Sequence, residues 1–512
     1  MSVAKQILFF SLVLSVLSTE AQVPTYWQDI KPILERNCVQ CHQPGDIGAM
    51  PLTNYEEVST YGSMIQYVTS AKLMPPWYAD TRYSHFSNEQ ILRETDIKKI
   101  SDWVSNDMPL GPVENVDSGY IEIPMDTNQR VPDLVISMAE AFEQYGVYMD
   151  QYQVFVLPTH LAEDTWIDGI EFMAGNKKIV RFAEISIEDS AGYDSLDRWD
   201  PRYGYYSFGG LGKTPDAPFW YTWSPQQKPT FYKQGSAKFL PKDARLIVHM
   251  HYGPTGRPQT DLSSIRLYFS DKKTEQSITT VPLINPYRLL GDSLFIPADT
   301  KKIFHAAYTL PYEIQLMSLM PQANLFCRSW EVYAILPGQR EPLRLLKIND
   351  WNINWKQTYY LADRVILPKG TVLHALAQYD STLDNPCNPS DKPIAVTWGA
   401  HLFSELFYVH FEFTTPAIAS SGVEILVAPV TSDSVLKVLV NLDKTASYEI
   451  RISSPMLDDY LIISNGKLKK GNNTFVQDIS SLPGGNYTVQ VMDHHQHLVA
   501  EKIVVKLPAK GM

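Results

Sequence analysis

Five residues, Cys38-Val39-Gln40-Cys41-His42, limit what the first hundred positions can become more than any other stretch. Two thiols three positions apart with a histidine directly after them form the attachment pattern for c-type haem. The thiols become thioethers on the haem edge and the histidine gives one axial nitrogen, so the surrounding chain has to close over a large flat ring. A redox or zinc reading of the C-x-x-C pair would need a partner pair. The only other cysteines, Cys327 and Cys387, lie far along the chain. A second axial ligand is needed, and methionine serves where the potential is high. Met74, in Leu73-Met74-Pro75-Pro76-Trp77, is the first candidate. Met108, in Asp107-Met108-Pro109-Leu110-Gly111, competes but falls beyond the last helix, where the chain is expected to be leaving the domain; Met50 and Met64 are weaker.

The N-terminus agrees with that chemistry. Lys5 precedes an apolar run from Ile7 to Leu17, and Ser18-Thr19-Glu20-Ala21 before Gln22 fits a cleavage site. The run is too short to span a bilayer and reads as a secretory signal over 1–21. No cysteine stands at the cleavage point, and no later segment is apolar enough for a transmembrane helix. The expected location is exported: periplasmic, cell-surface or secreted. Export would also permit a Cys327–Cys387 disulfide, with two buried thiols as the equal alternative. A net charge of −12 argues against nucleic acid as the partner.

Residues 22–115 read as an all-α domain. Trp27, Ile30, Ile33 and Leu34 recur at helical spacing before the thiols. Ser87 with Gln90 predicts a capping box, and Ile97, Ile100 and Val104 share one helical face after it. Helices on both sides of the attachment motif, with the methionine loop before the last, resemble a class I cytochrome c. Beyond about 130 the periodicity changes to two. Leu246, Val248, Met250 and Tyr252 alternate with Ile247, His249 and His251, and Ile265, Leu267 and Phe269 behave likewise. The fold class expected is therefore multidomain and mostly β: an N-terminal all-α cytochrome c domain, two antiparallel β jelly rolls over 116–275 and 276–417, and a C-terminal β-sandwich over 420–507.

The middle carries an ordered series of short motifs. They are Pro132-Asp133-Leu134, Glu163-Asp164-Thr165-Trp166-Ile167, Gly175-Asn176 and His251-Tyr252-Gly253-Pro254-Thr255-Gly256. Leu367-Pro368-Lys369-Gly370-Thr371, Asn385-Pro386-Cys387-Asn388-Pro389, Trp398-Gly399 and Ser404-Glu405 follow. In this order they resemble the copper type II, ascorbate-dependent monooxygenases, the group that includes peptidylglycine α-hydroxylating monooxygenase. Bacterial fusions of a c-type cytochrome to such a core are more similar still. The resemblance implies two jelly rolls facing each other across a cleft, with one copper held by a His-His pair plus a distant histidine. A second copper would be held by a His-x-His strand plus a methionine. Carried over residue by residue, five of these six positions are substituted: Arg181 and Phe182 stand at the His-His pair, Gln322 and Asn324 at His-x-His, and Leu406 at the methionine. His251 alone is retained, with His249 two residues away on the same strand face. Neutral amides, a guanidinium and hydrocarbon are poor company for copper. His160, His305, His374, His401 and His410 match no ligand pattern and are expected to be structural.

Phe475 to Lys506, with Ile479-Ser480-Ser481-Leu482-Pro483-Gly484-Gly485-Asn486-Tyr487, is similar to C-terminal sorting domains of type IX secretion. That would imply association with the outer-membrane surface; an immunoglobulin-like accessory domain is the other reading. His494, His495 and His497 are expected in an exposed turn, where a metal site is the lesser alternative. The expectation for the whole is an exported electron-transfer protein with covalent haem c, a protein redox partner, and a monooxygenase-like core serving as scaffold or binding module. A working copper monooxygenase fed by the haem is the competing expectation, so whether the chain is an enzyme stays open.

Overall fold

The computed structural model describes residues 23–112 and 130–506, apart from 147, 189–191, 212–218, 226, 271–273, 275, 292, 416–422, 429–430, 433–434, 455–456 and 458–459. The signal expected at 1–21 lies outside the described residues. The chain divides into two compact units: 1–40, 50–75 and 91–125 form one, and 41–49, 76–90 and 126–512 form the other.

The regular structure of the first unit is helical among the described residues: Lys31–Asn37, Tyr55–Thr60, Gly62–Ser70 and Glu94–Ser105 after a short turn at Tyr26–Ile30. Tyr26, Ile30, Leu34, Val58, Ile100 and Trp103 fill its core. Asn54 starts the second helix, its side chain accepting from the Glu57 N–H. Ser87 and Gln90 do not open a helix, contrary to the capping-box expectation. The last helix starts at Glu94, behind an Arg93 that makes no side-chain cap. The Ser87 N–H and hydroxyl both donate to the Tyr360 carbonyl, at 2.8 and 3.2 Å. A sheet edge has claimed the donors that a helix end would have used. Met108 also departs from expectation. It does not leave with the chain but packs on this core, its Sδ only 2.4 Å from where a Cβ on Gly62 would sit.

The second unit is mostly β. A nine-stranded sheet runs through Leu134–Ser137, Ser264–Phe269, Thr165–Met173, Ser236–Leu240, Gln276–Ile284, Tyr408–Thr414, Ile314–Gln322 and Tyr359–Leu367, with Thr230–Phe231 alongside. It passes from the strands before residue 270 into those after residue 275 by a two-residue parallel pairing, Gln276 with Ser236 and Ser277 with Ala237. A five-stranded sheet centred on Arg245–Tyr252 faces the first half, and a four-stranded sheet, Lys301–Thr309, Val372–Asp380, Cys327–Ile335 and Leu343–Ile348, faces the second. Two hydrophobic cores result. Val248, Met250 and Leu267 belong to one, and Leu316, Trp330 and Phe411 to the other. Strand alternation decides which side chains enter them. A third core, with Val438, Ile450 and Val489, lies in the C-terminal strands from Val423 to Lys506.

A buried ion pair links two strands of the nine-stranded sheet across the Gln276–Ile284 strand between them. Lys238 Nζ sits 2.9 Å from Glu412, donates to the Trp220 carbonyl and reaches Thr280 Oγ1 at 2.7 Å. Cys327 is buried and Cys387 exposed, and they are not bonded to each other. No described helix is long and apolar enough to cross a membrane.

Candidate functional site

The Cys38-Val39-Gln40-Cys41-His42 motif sits where helix gives way to a tight loop. Cys38 ends the Lys31–Asn37 helix, its N–H bonded to the Leu34 carbonyl at 2.7 Å. In the segment 41–49, Cys41 is buried and His42 half-buried. Gly48 donates its N–H to the Cys41 carbonyl at 2.9 Å. A Cβ on Gly48 would lie 2.6 Å from that carbonyl oxygen and 2.7 Å from His42 Nδ1. Glycine is therefore required for the backbone to lie against the imidazole edge. Asp46 holds the turn, accepting from Gln43 Nε2 at 3.1 Å and the Ile47 N–H at 2.9 Å. The Gly48 backbone thus lies against the Nδ1 side of the ring. The residues fit a covalently attached haem. Of the candidate axial methionines, Met74 is 41% exposed, whereas the Met108 sulfur is taken up by core packing. Met64 is exposed and Met50 half-buried.

The positions that the resemblance implied as counterparts of copper ligands converge on a buried polar cluster. The Gly175-Asn176 turn, fixed by Asn176 N–H to Asp261 at 2.8 Å, launches the Val180–Glu188 strand. Register then sets Phe182 opposite His251 and Glu184 opposite His249, while Tyr152 flanks His251 on its other side. His251 stacks on Tyr152 with ring centroids 4.5 Å apart, and its Nε2 is 2.9 Å from Asp150. His249 Nε2 is 2.9 Å from the Ser207 carbonyl. Burial lowers the pKa of both rings, that of His249 to about 3. The Arg181 guanidinium lies against Gly253, with burial lowering its pKa and Asp150 opposing the shift. Phe182 packs with Phe219 and Met320.

The other ligand positions are occupied in the same way. Gln322 Nε2 donates to Glu184 at 2.9 Å, and Asn324 Nδ2 to the Ser404 carbonyl at 3.2 Å. Glu405 accepts from the backbone N–H groups of Asn324, Phe326 and Leu406. Leu406 is buried hydrocarbon. Burial pushes the carboxyls of Glu184 and Glu405 up to about 7. Lys356 is the cation that both feel, and its own pKa is lowered, by burial first. It also disfavours the charged form of both histidines. The donor set does not fit copper: two imidazole nitrogens and two amides are committed to protein partners, and a guanidinium and a lysine supply positive charge.

Sequence reasoning missed Glu184, Asp150 and Lys356. Glu184 left a signal, a carboxylate inside the apolar run Phe182-Ala183-Glu184-Ile185. Lys356, just after the short turn Ile353–Trp355, left none. A small void of about 10 Å³, the size of one water, lies nearby among Phe219, Thr222, Met320, Thr358, His410 and Glu412.

No protein-family model and no curated protein matches this chain. Among solved structures, one described as PNGF-II is 10% identical, with a TM-score of 0.23, over 55% of this chain and 64% of its own. A β-1,2-glucanase from Parabacteroides distasonis is 11% identical, with a TM-score of 0.12, over 41% and 31%. The BSP domain of a biofilm-associated protein is 7% identical, with a TM-score of 0.14, over 72% and 82%. The chain thus spans under two thirds of the first two. None of the three titles names a cytochrome or a monooxygenase, and likenesses this weak carry no argument.

Proposed function

We propose that this is an exported haem c electron-transfer protein whose monooxygenase-like β core serves as a scaffold or binding module. The observation that supports it most is the Cys38–His42 segment, with the Gly48 backbone against His42 Nδ1. Haem held there would accept and give up one electron at a time. Cys38 and Cys41 would fix it covalently, His42 would give one axial nitrogen, and Met74 is an exposed thioether that could complete the axial pair without unpacking a core. The partner is a redox protein of unassigned identity. Export rests on the apolar N-terminal run and on the chemistry of haem attachment.

The β core supports binding better than oxidation. Gln322 and Glu184 hydrogen-bond directly, and the Thr222 and Thr358 hydroxyls meet at 2.7 Å, tying together strands that the resemblance would separate by a cleft. A haem stain of the exported protein, with iron analysis, tests the reading. One covalent haem per chain is expected, lost in Cys38→Ala/Cys41→Ala. Protein carrying no haem after expression with the attachment machinery would overturn it.

A further inference from the structure

Two of the histidines expected to be merely structural meet on the outer face of the four-stranded sheet. His305 and His374 come from the antiparallel strands Lys301–Thr309 and Val372–Asp380. The inward residues Phe304, Ala306, Leu373 and Ala375 belong to the core, so alternation sends both imidazoles outward, where they are half-buried. His305 Nε2 and His374 Nδ1 are 3.0 Å apart. The small Ala307 lies directly opposite His374, and Tyr333 stacks on its other side at 4.8 Å.

We propose that His305 and His374 form a surface site for a divalent late first-row metal ion such as Zn²⁺ or Cu²⁺. Metal–imidazole bonds are about 2.0–2.1 Å, so two nitrogens in adjacent coordination positions stand roughly 3 Å apart. The pair already has that spacing. Tyr333 packing orients His374, and Ala307 leaves room beside it. Burial lowers the pKa of both rings, and His305 adds to the effect on His374, so both are neutral at pH 7. In the metal-free pair one ring donates its N–H to the other. On binding, that proton moves to the far nitrogen of the same ring, both facing lone pairs go to the metal, and water fills the remaining positions. No net proton is released. Imidazole suits these ions, and two ligands with water make a site of modest affinity.

The exposed turn around His494, His495 and His497 could bind metal as well, so the test removes it first. The full haem-bearing chain with His494→Asn, His495→Asn and His497→Asn is titrated calorimetrically with Zn(II), which adds no absorbance beside haem. One equivalent is expected to remain. His305→Gln and His374→Gln should each weaken it by at least the ~10–100-fold that even an outer partner of a metal site is worth. A measurement on the unmodified chain needs no variant to fold: Zn(II) should protect His305 and His374 from acylation by diethyl pyrocarbonate, read by peptide mass spectrometry. Loss of all binding with the turn histidines, undiminished affinity in either glutamine variant, or acylation unaffected by Zn(II) would each overturn the site.

Discussion

The loop at Cys41–Ala49 and the cluster around Glu184 place their histidines in different surroundings. In the loop, glycine and an aspartate-braced turn bound the His42 ring on its Nδ1 side. In the cluster, the retained His251 faces Asp150, the amides at substituted positions face Glu184 and Ser404, and Lys356 brings a positive charge. Both regions have histidine in the right sequence neighbourhood. In the cluster, the histidine and amide donors are already engaged by protein partners. Order of motifs speaks to fold; commitment of donor atoms speaks to chemistry.

The largest effect should come from the loop. Cys38→Ala/Cys41→Ala is expected to abolish covalent haem, scored by stain after denaturing electrophoresis, and survival of the stain would mean attachment elsewhere. Next comes the pair that pins the strands beneath the cluster. Lys238→Ala leaves Glu412 buried without its cation and should cost ~3–5 kcal/mol in denaturant unfolding. A similarly shaped apolar pair, Lys238→Met with Glu412→Leu, should recover most of that.

The third prediction concerns pH. Glu184 and Glu405 have folded pKa values of about 7, above the 4.5 of an exposed glutamate. Between those values the folded state holds protons that the unfolded chain has released, so stability falls as pH rises from about 4.5 to 7 and levels off above. Glu184→Gln should remove up to about 3 kcal/mol of that fall while keeping an acceptor for Gln322. Unchanged pH dependence would mean the carboxyl is ionised in the fold. The smallest effect is Gln322→Leu, which strips Glu184 of its donor at a cost of about 1–3 kcal/mol by the same unfolding measurement. A variant as stable as the parent would show that the bridge contributes nothing.

Much of the fold was legible because burial imposes a period. The Arg245–Tyr252 strand places Val248 and Met250 in one core and turns His249 and His251 away from it, as the alternation indicated. The Ser87–Gln90 expectation failed because a cap is only a set of local donors and acceptors, and Tyr360, far along the chain, takes the donors first. The substituted ligand positions could be named from sequence, but not their partners. Glu184 and Lys356 come to them through sheet register and a loop. His305 and His374 were unrelated in sequence for the same reason, since only the pairing of two strands makes them neighbours.

The central claim is that the donor atoms of the cluster are already engaged by protein partners, so that the cluster does not hold copper. Copper loading of the full chain, followed by exchange against a chelator and elemental analysis, tests it most directly. Exchange strips weak surface copper and keeps tightly held ions. The account predicts one haem iron and no retained copper per chain. Two retained coppers, or one that disappears with His251→Ala, would contradict it.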